Sequence, residues 1–166
     1  MKYLIYLLLF SFLLQATTIH VGKKYAIRSV KKGLALAKIG DTVIVHGGHY
    51  REGNISIDKK IVFLGKDLPV LDGEKKHEVL SIHADSVVVD GFKIIKSSYA
   101  TITDPCGIKV YNKSYVIIQN NVLDDNFFGI YLQNCQKCTI KNNYLRAYGK
   151  QEQQLGNGIH CWKSND

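Results

Sequence analysis

The chain is poor in methionine: of its 166 residues only Met1 is one. Thioether coordination of a soft metal ion is therefore excluded beyond the first residue of this stretch. Charge is also sparse, with 22% charged against 46% hydrophobic residues, which excludes bulk disorder and leaves enough apolar material for the core of one domain. No apolar run reaches the roughly 20 residues of a membrane span. The longest, Tyr3 to Leu14, follows Lys2 and gives way to small and polar residues at Ala16 to Thr18. That is the pattern of a secretory signal peptide over residues 1–18, with an uncleaved N-terminal anchor as the alternative. Its removal takes the formal net charge from +8 to +7. The lysines are scattered, and the doublets Lys59-Lys60 and Lys75-Lys76 read as solvated corners, so nucleic acid is not an expected partner.

Asn-Gly turns at hairpin spacing are missing too, which argues against a meander of hairpins. What is present is an internal repeat. Gly107 to Asn121 (GIKVYNKSYVIIQNN) falls on Gly129 to Asn143 (GIYLQNCQKCTIKNN) after a shift of 22 positions, and a third copy opens at Gly158, 29 residues after Gly129. Apolar residues alternate within each copy: Ile108, Val110, Val116 and Ile118, then Ile130, Leu132, Cys138 and Ile140. Period two means strands, each pairing with its equivalent one repeat away. The predicted fold is all-β, a parallel β-helix of about 22-residue coils forming a single domain over 19–166. Tyr25 to Lys38, with Ile27, Val30, Leu34 and Ala37 three or four apart, is predicted to be a short helix capping the first coil. Beyond Asp166 further coils are expected, and the segment alone is expected to aggregate or borrow a partner.

The register assigns roles to polar residues. Asn112 falls on Asn134, Asn120 on Asn142 and Asn121 on Asn143, a structural ladder of amides at corners where Asn tolerates a left-handed backbone. Val87 to Ile94 fits as an earlier coil, with Gly91 at the Asn120 position. Asp124 lies 22 residues before Arg146, predicting an ion pair between coils. Of the four cysteines, Cys138 and Cys161 occupy aliphatic positions and are expected in the core, whereas Cys106 and Cys135 are expected to be exposed. Cys135-x-x-Cys138 matches a thiol-pair pattern with one member facing inward.

The helix followed by GDTVIV, then GGHY, IVFLG, VLDG, VVVDGFKI, FGIYL, KNN and LGNGIHCWKSND, together resemble the opening part of the NosD-type proteins. Those are periplasmic maturation proteins of nitrous-oxide reductase within the pectin-lyase-like superfamily of right-handed β-helices, which includes the carbohydrate-binding and sugar-hydrolase repeat domain. The specific segment is GNGIHCWKSND, in which Cys161 stands where the family resembles an aliphatic residue. The resemblance implies a right-handed helix and a periplasmic location. It also implies work beside an ABC transporter's ATPase and permease and a copper-carrying lipoprotein, in assembling the reductase's copper centres. It implies delivery or docking, with no hydrolysis and no catalytic residues in this subunit.

Strand alternation turns Ile159 and Cys161 inward and His160 and Trp162 outward, so Tyr131, His160 and Trp162 form the candidate docking surface. His46, His49 and His160 are the candidate metal ligands, copper being the only cofactor considered, although two imidazoles at a Gly47-Gly48 turn do not close a site. The alternative function is a carbohydrate-binding or polysaccharide lyase or epimerase-like β-helix. A lyase would need carboxylates gathered with a base, and Asp104, Asp124, Asp125 and Arg146 are the nearest such set.

Overall fold

The computed structural model describes residues 15–99, 104–148 and 156–165. Most of the N-terminal run read as a signal, residues 1–14, lies outside the described residues, and Thr18 already opens a strand. That strand, β1 (Thr18–Val21), is followed by helix α1 (Val30–Leu36). Five turns of three strands each follow. They are β2 (Thr42–His46), β3 (His49–Tyr50) and β4 (Ile55–Ile57), then β5 (Val62–Lys66), β6 (Val70–Asp72) and β7 (Leu80–Ile82). The third turn is β8 (Val88–Asp90), β9 (Lys93–Ile95) and β10 (Cys106–Tyr111), and the fourth β11 (Ile117–Gln119), β12 (Val122–Asp124) and β13 (Phe128–Gln133). The fifth is β14 (Thr139–Lys141), β15 (Tyr144–Arg146) and β16 (Ile159–Trp162).

Equivalent strands stack into three parallel sheets. Sheet A runs β1-β2-β5-β8-β11-β14, sheet B runs β3-β6-β9-β12-β15, and sheet C runs β4-β7-β10-β13-β16. Inward side chains form continuous apolar columns: Val43, Phe63, Val89 and Ile118 in sheet A, Leu71, Ile94 and Leu123 in sheet B, and Ile55, Leu80, Ile108 and Ile130 in sheet C. Each such residue, taken fully out of water, is worth about 1.5–3 kcal/mol. The Phe63 and Phe92 rings stack at 4.3 Å between coils.

The 22-residue step holds from Ile117 to Thr139, from Val122 to Tyr144 and from Ile108 to Ile130. Elsewhere the step varies, from 20 residues between Thr42 and Val62 and 21 between His49 and Val70 to 29 from Val88 to Ile117 and 29 from Ile130 to Ile159. In the two 29-residue steps the residues beyond 22 enter at one corner, between sheets B and C, after β9 and after β15, and the register resumes unchanged beyond them. The glycines that open the repeats sit beside this corner. A Cβ on Gly129 would strike the Gly158 carbonyl oxygen of the next coil, and one on Gly107 would come within 2.8 Å of the Gly129 oxygen.

Helix α1 is shorter than its sequence pattern because Ala37 is already extended, with ψ of 144°. Its buried residues Val30, Gly33 and Leu34 close over the first coil. Gly33, a poor helix former, is needed there because a Cβ would run into the Val21 side chain. Both helix ends are tied to the coils. Glu52 accepts from Ser29 Oγ at 2.7 Å, Val30 N at 2.7 Å and Lys31 N at 3.0 Å, and Lys59 Nζ donates to the carbonyls of Leu34 and Ala37 at 3.1 Å each.

Candidate functional site

The outer face of sheet C presents two columns, one of Ser56, Ser81, Lys109, Tyr131 and His160, the other carrying Tyr111, Gln133 and Trp162. Tyr131 faces outward as strand alternation requires, yet it is buried rather than exposed, because its neighbours close over it. Lys109 Nζ lies 4.6 Å from its ring centroid, His160 meets it edge-on at 4.7 Å, and Phe128 lies 5.5 Å away. Phe128 also reaches His160, at 5.2 Å. His160 Nδ1 shares a hydrogen bond with Asn157 Nδ2 at 3.2 Å. Trp162 stands one column over, 45% exposed, with Lys163 Nζ 4.6 Å above its ring.

Below this aromatic cluster, sheet C meets the long B-to-C corner and forms a groove of 650 Å³. Its floor is a polar network that sequence reasoning missed. Glu78 lies at the centre, with Tyr111 Oη donating to both carboxylate oxygens at 3.1 Å and the Ser81 hydroxyl donating to one. Asn54 Nδ2 donates to Ser81 Oγ at 2.7 Å and to the Glu78 carbonyl at 3.1 Å. His83 stacks on the Tyr111 ring at 4.6 Å. Lys109, only 7% exposed, donates to the Asp104 carbonyl at 3.4 Å and lies 5.0 Å from the Tyr111 ring centroid. Burial pushes the Glu78 carboxyl above its ordinary value, and the Ser81 and Tyr111 hydroxyls and the Lys109 charge oppose this only in part. Burial, with the Glu78 charge beside it, also pushes up the Tyr111 phenol and the Cys106 thiol. The groove thus combines a carboxyl biased toward its protonated form, a cation held between aromatic rings and a ring stack. Such a surface recognises hydroxyl, amide or carbonyl groups along an extended ligand. The one signal available in the sequence was Lys109 and Tyr111 facing the same way as Tyr131.

The candidate metal ligands go to separate partners. His46 Nε2 and His20 Nδ1 are 2.9 Å apart, with the Tyr25 hydroxyl 3.4 Å from His46 Nδ1. Burial, followed by the charges of His20 and Lys66, holds the His46 pKa below its ordinary value. His49, on sheet B, bonds to Asp72 Oδ2 at 2.7 Å, where Arg51 also approaches at 3.5 Å. Among the described residues no three His, Cys, Asp or Glu side chains gather as a metal site.

The acidic set does not gather either. Asp124 lies 3.4 Å from Arg146 and 3.7 Å from Lys93, Asp125 lies 2.6 Å from Lys75, and Asp104 lies in the groove through its carbonyl. In the asparagine columns, Asn134 Nδ2 donates to Asn112 Oδ1 at 3.1 Å and Asn121 Nδ2 to Asn143 Oδ1 at 3.0 Å. Asn120 instead donates to Asp90 at 3.0 Å. Asn112, Asn120, Asn134 and Asn142 all have φ between 52° and 55°, and Gly91 shares their left-handed conformation at 82°.

The cysteines depart from expectation. Cys135 and Cys106 are buried, Cys138 is half-buried and Cys161 is exposed. Cys135 turns inward at a corner where Asn134 before it and Lys137 two residues after it are left-handed, and Cys161 lies on the inner side of the last described strand with no residue of the described chain stacked above it.

These features define the class: a β-solenoid with one elaborated sheet face. The chain belongs to the family described as the right handed beta helix region, which matches residues 73–166, more than half of it. Two structures of pectin methylesterase from Aspergillus niger, differing in deglycosylation, are similar at 10% and 14% identity with TM-scores of 0.46 and 0.36. Each alignment covers 87% of this chain and 66% of the enzyme, so the chain spans just under two thirds of that protein's length. No curated protein matches the sequence. No helix among the described residues is long and apolar enough to cross a membrane.

Proposed function

We propose that this β-helix is a periplasmic accessory protein for copper-centre assembly in nitrous-oxide reductase, acting beside an ABC transporter's ATPase and permease and a copper-carrying lipoprotein. Its share of that work is docking. The observation that carries the reading is the outer face of sheet C, where the GNGIHCWKSND segment contributes β16 and sets His160 against Tyr131 and Phe128, with Trp162 exposed beside them. Aromatic residues on a rigid sheet are the usual anchors of protein interfaces. Copper enters this reading as cargo, and His46, His49 and His160 lie beside His20, Asp72 and Asn157 respectively rather than beside one another. The test is to delete the protein and measure copper in the reductase, then restore it with H160A/W162A. Loss of copper in the deletion, not restored by the double variant, is expected. Full metal loading in the deletion strain would overturn the reading.

A second reading has its own observation, the Glu78, Lys109 and Tyr111 groove, which suits an oligosaccharide. Glycan binding abolished by Y111A would favour it over docking.

A further inference from the structure

The outer face of sheet A carries a pair of imidazoles at its first step. His20 on β1 pairs in register with Ile44 on β2, so His46, two residues further along the same face, is its diagonal neighbour. Their ring nitrogens, His20 Nδ1 and His46 Nε2, lie 2.9 Å apart and share one N–H. The surroundings hold both rings. A turn closed by Gly22 N donating to the Ile27 carbonyl at 2.9 Å lays the Tyr25 ring on His46 at 4.2 Å and on His20 at 5.2 Å. Gly22 leaves room for that stack, because a Cβ there would come within 3.1 Å of His46 Cβ and 3.3 Å of Tyr25 Cδ2. Tyr25 Oη, 3.4 Å from His46 Nδ1, can accept the proton of that nitrogen, which leaves the Nε2 lone pair facing His20. Tyr50 Oη donates to the His46 carbonyl at 2.7 Å and steadies the strand end. On the next coil Leu64 and Lys66 stand at the positions of Ile44 and His46, so the arrangement belongs to this step of the sheet.

A nitrogen separation of 2.9 Å is also what a metal ion asks of two ligands at a right angle. With metal–nitrogen bonds of about 2.0–2.1 Å, a right angle sets the nitrogens about 2.9 Å apart, whereas a tetrahedral angle needs about 3.3–3.4 Å. Right-angle coordination by imidazole belongs to tetragonal and octahedral ions. We propose that His20 and His46 form a two-histidine chelate for Cu(II) or Ni(II), with water in the remaining coordination positions. The ion takes the place of the shared proton, which moves through solvent to the other nitrogen of its own ring, so the neutral pair binds without net loss of a proton. Both lone pairs reach the ion by rotation of the rings about their Cβ–Cγ bonds, which the exposure of His20 and the half-burial of His46 permit. Lys66, next to His46 on β5, is the adverse charge, and it is exposed and able to swing aside. The bound ion staples β1 to the first coil. This site lies on sheet A and stands apart from the docking reading, which rests on sheet C.

The test titrates the full chain with Cu(II), Ni(II) and Zn(II) by calorimetry in a C161S background, which removes the exposed thiol, and records the electron paramagnetic resonance spectrum of the copper form. One Cu(II) or Ni(II) per chain is expected, with hyperfine splitting from two imidazole nitrogens. H20N or H46Q should weaken binding by about 100-fold and leave a one-nitrogen spectrum. Y25F should weaken it by about tenfold. H49Q should change nothing, and Ni(II) should raise hydrogen-exchange protection across Thr18–Val21. Circular dichroism checks that each variant is folded. Unchanged affinity in folded H20N or H46Q, a one-nitrogen spectrum in the parent chain, or Zn(II) bound more tightly than Cu(II) would overturn the proposal.

Discussion

The Asn143 side-chain oxygen accepts two hydrogen bonds from Asn121, one from its main-chain N–H at 2.9 Å and one from its amide at 3.0 Å. Asn121 repeats the arrangement one coil down, its oxygen accepting from Phe92 N at 2.9 Å while its amide also reaches the Gln119 carbonyl at 2.8 Å. One side chain thus satisfies main-chain groups in two coils at a corner where no ladder can. N121A strands the buried Phe92 N–H and should cost about 2–4 kcal/mol in urea unfolding. A loss below about 1 kcal/mol would show that water substitutes for the amide.

The Glu52 carboxylate stands where α1 exposes its free N–H groups, and Lys59 caps the opposite end. E52A should destabilise the protein by about 1–2 kcal/mol and K59M by less, because the lysine bonds are partly exposed. Hydrogen exchange localises the effect: protection should fall across Val30–Leu36 and stay unchanged in β10 to β13.

Glu78 gives a pH signature. Its folded-state carboxyl lies above the ordinary value of 4.5, so the folded chain holds this proton more tightly than the unfolded one. The resulting stabilisation is fully present below the unfolded value and is lost as pH rises through the folded value. E78Q should flatten this part of the stability profile as pH rises above the ordinary carboxyl value of 4.5 and leave the neutral protein at least as stable. A parallel shift of the whole profile would assign the effect to packing instead.

Gly129 is held between coils, where an added methyl would meet the Gly158 carbonyl oxygen and the Leu145 side chain. G129A should cost about 1–3 kcal/mol by forcing adjacent turns apart. Gly40, around which a Cβ would meet nothing within 4 Å, is the control for space but carries a φ of 90°, so G40A tests backbone strain alone. Equal losses at both positions would argue against close coil contact as the reason for the repeat glycine.

The frame was readable because stacking converts sequence distance into spatial contact. A spacing of 22 residues sets Asn143 on Asn121 and Arg146 on Asp124, and in the structure each pair is hydrogen-bonded. The groove was not readable. Tyr111 lies one turn beyond Glu78 and Ser81, at a step of 28 residues rather than 22, so the 22-residue offset does not align them beforehand. Cys135 was misread for a related reason: period two gives direction within strands, whereas a corner with two left-handed residues resets it.

The B-to-C corner takes up added residues while the strands on either side return to the same partners. The three-sheet frame therefore acts as a ruler and this corner as its free margin. Length can change at this corner at little expense to the helix, because the strands that follow it return to the partners they would have had without the added residues.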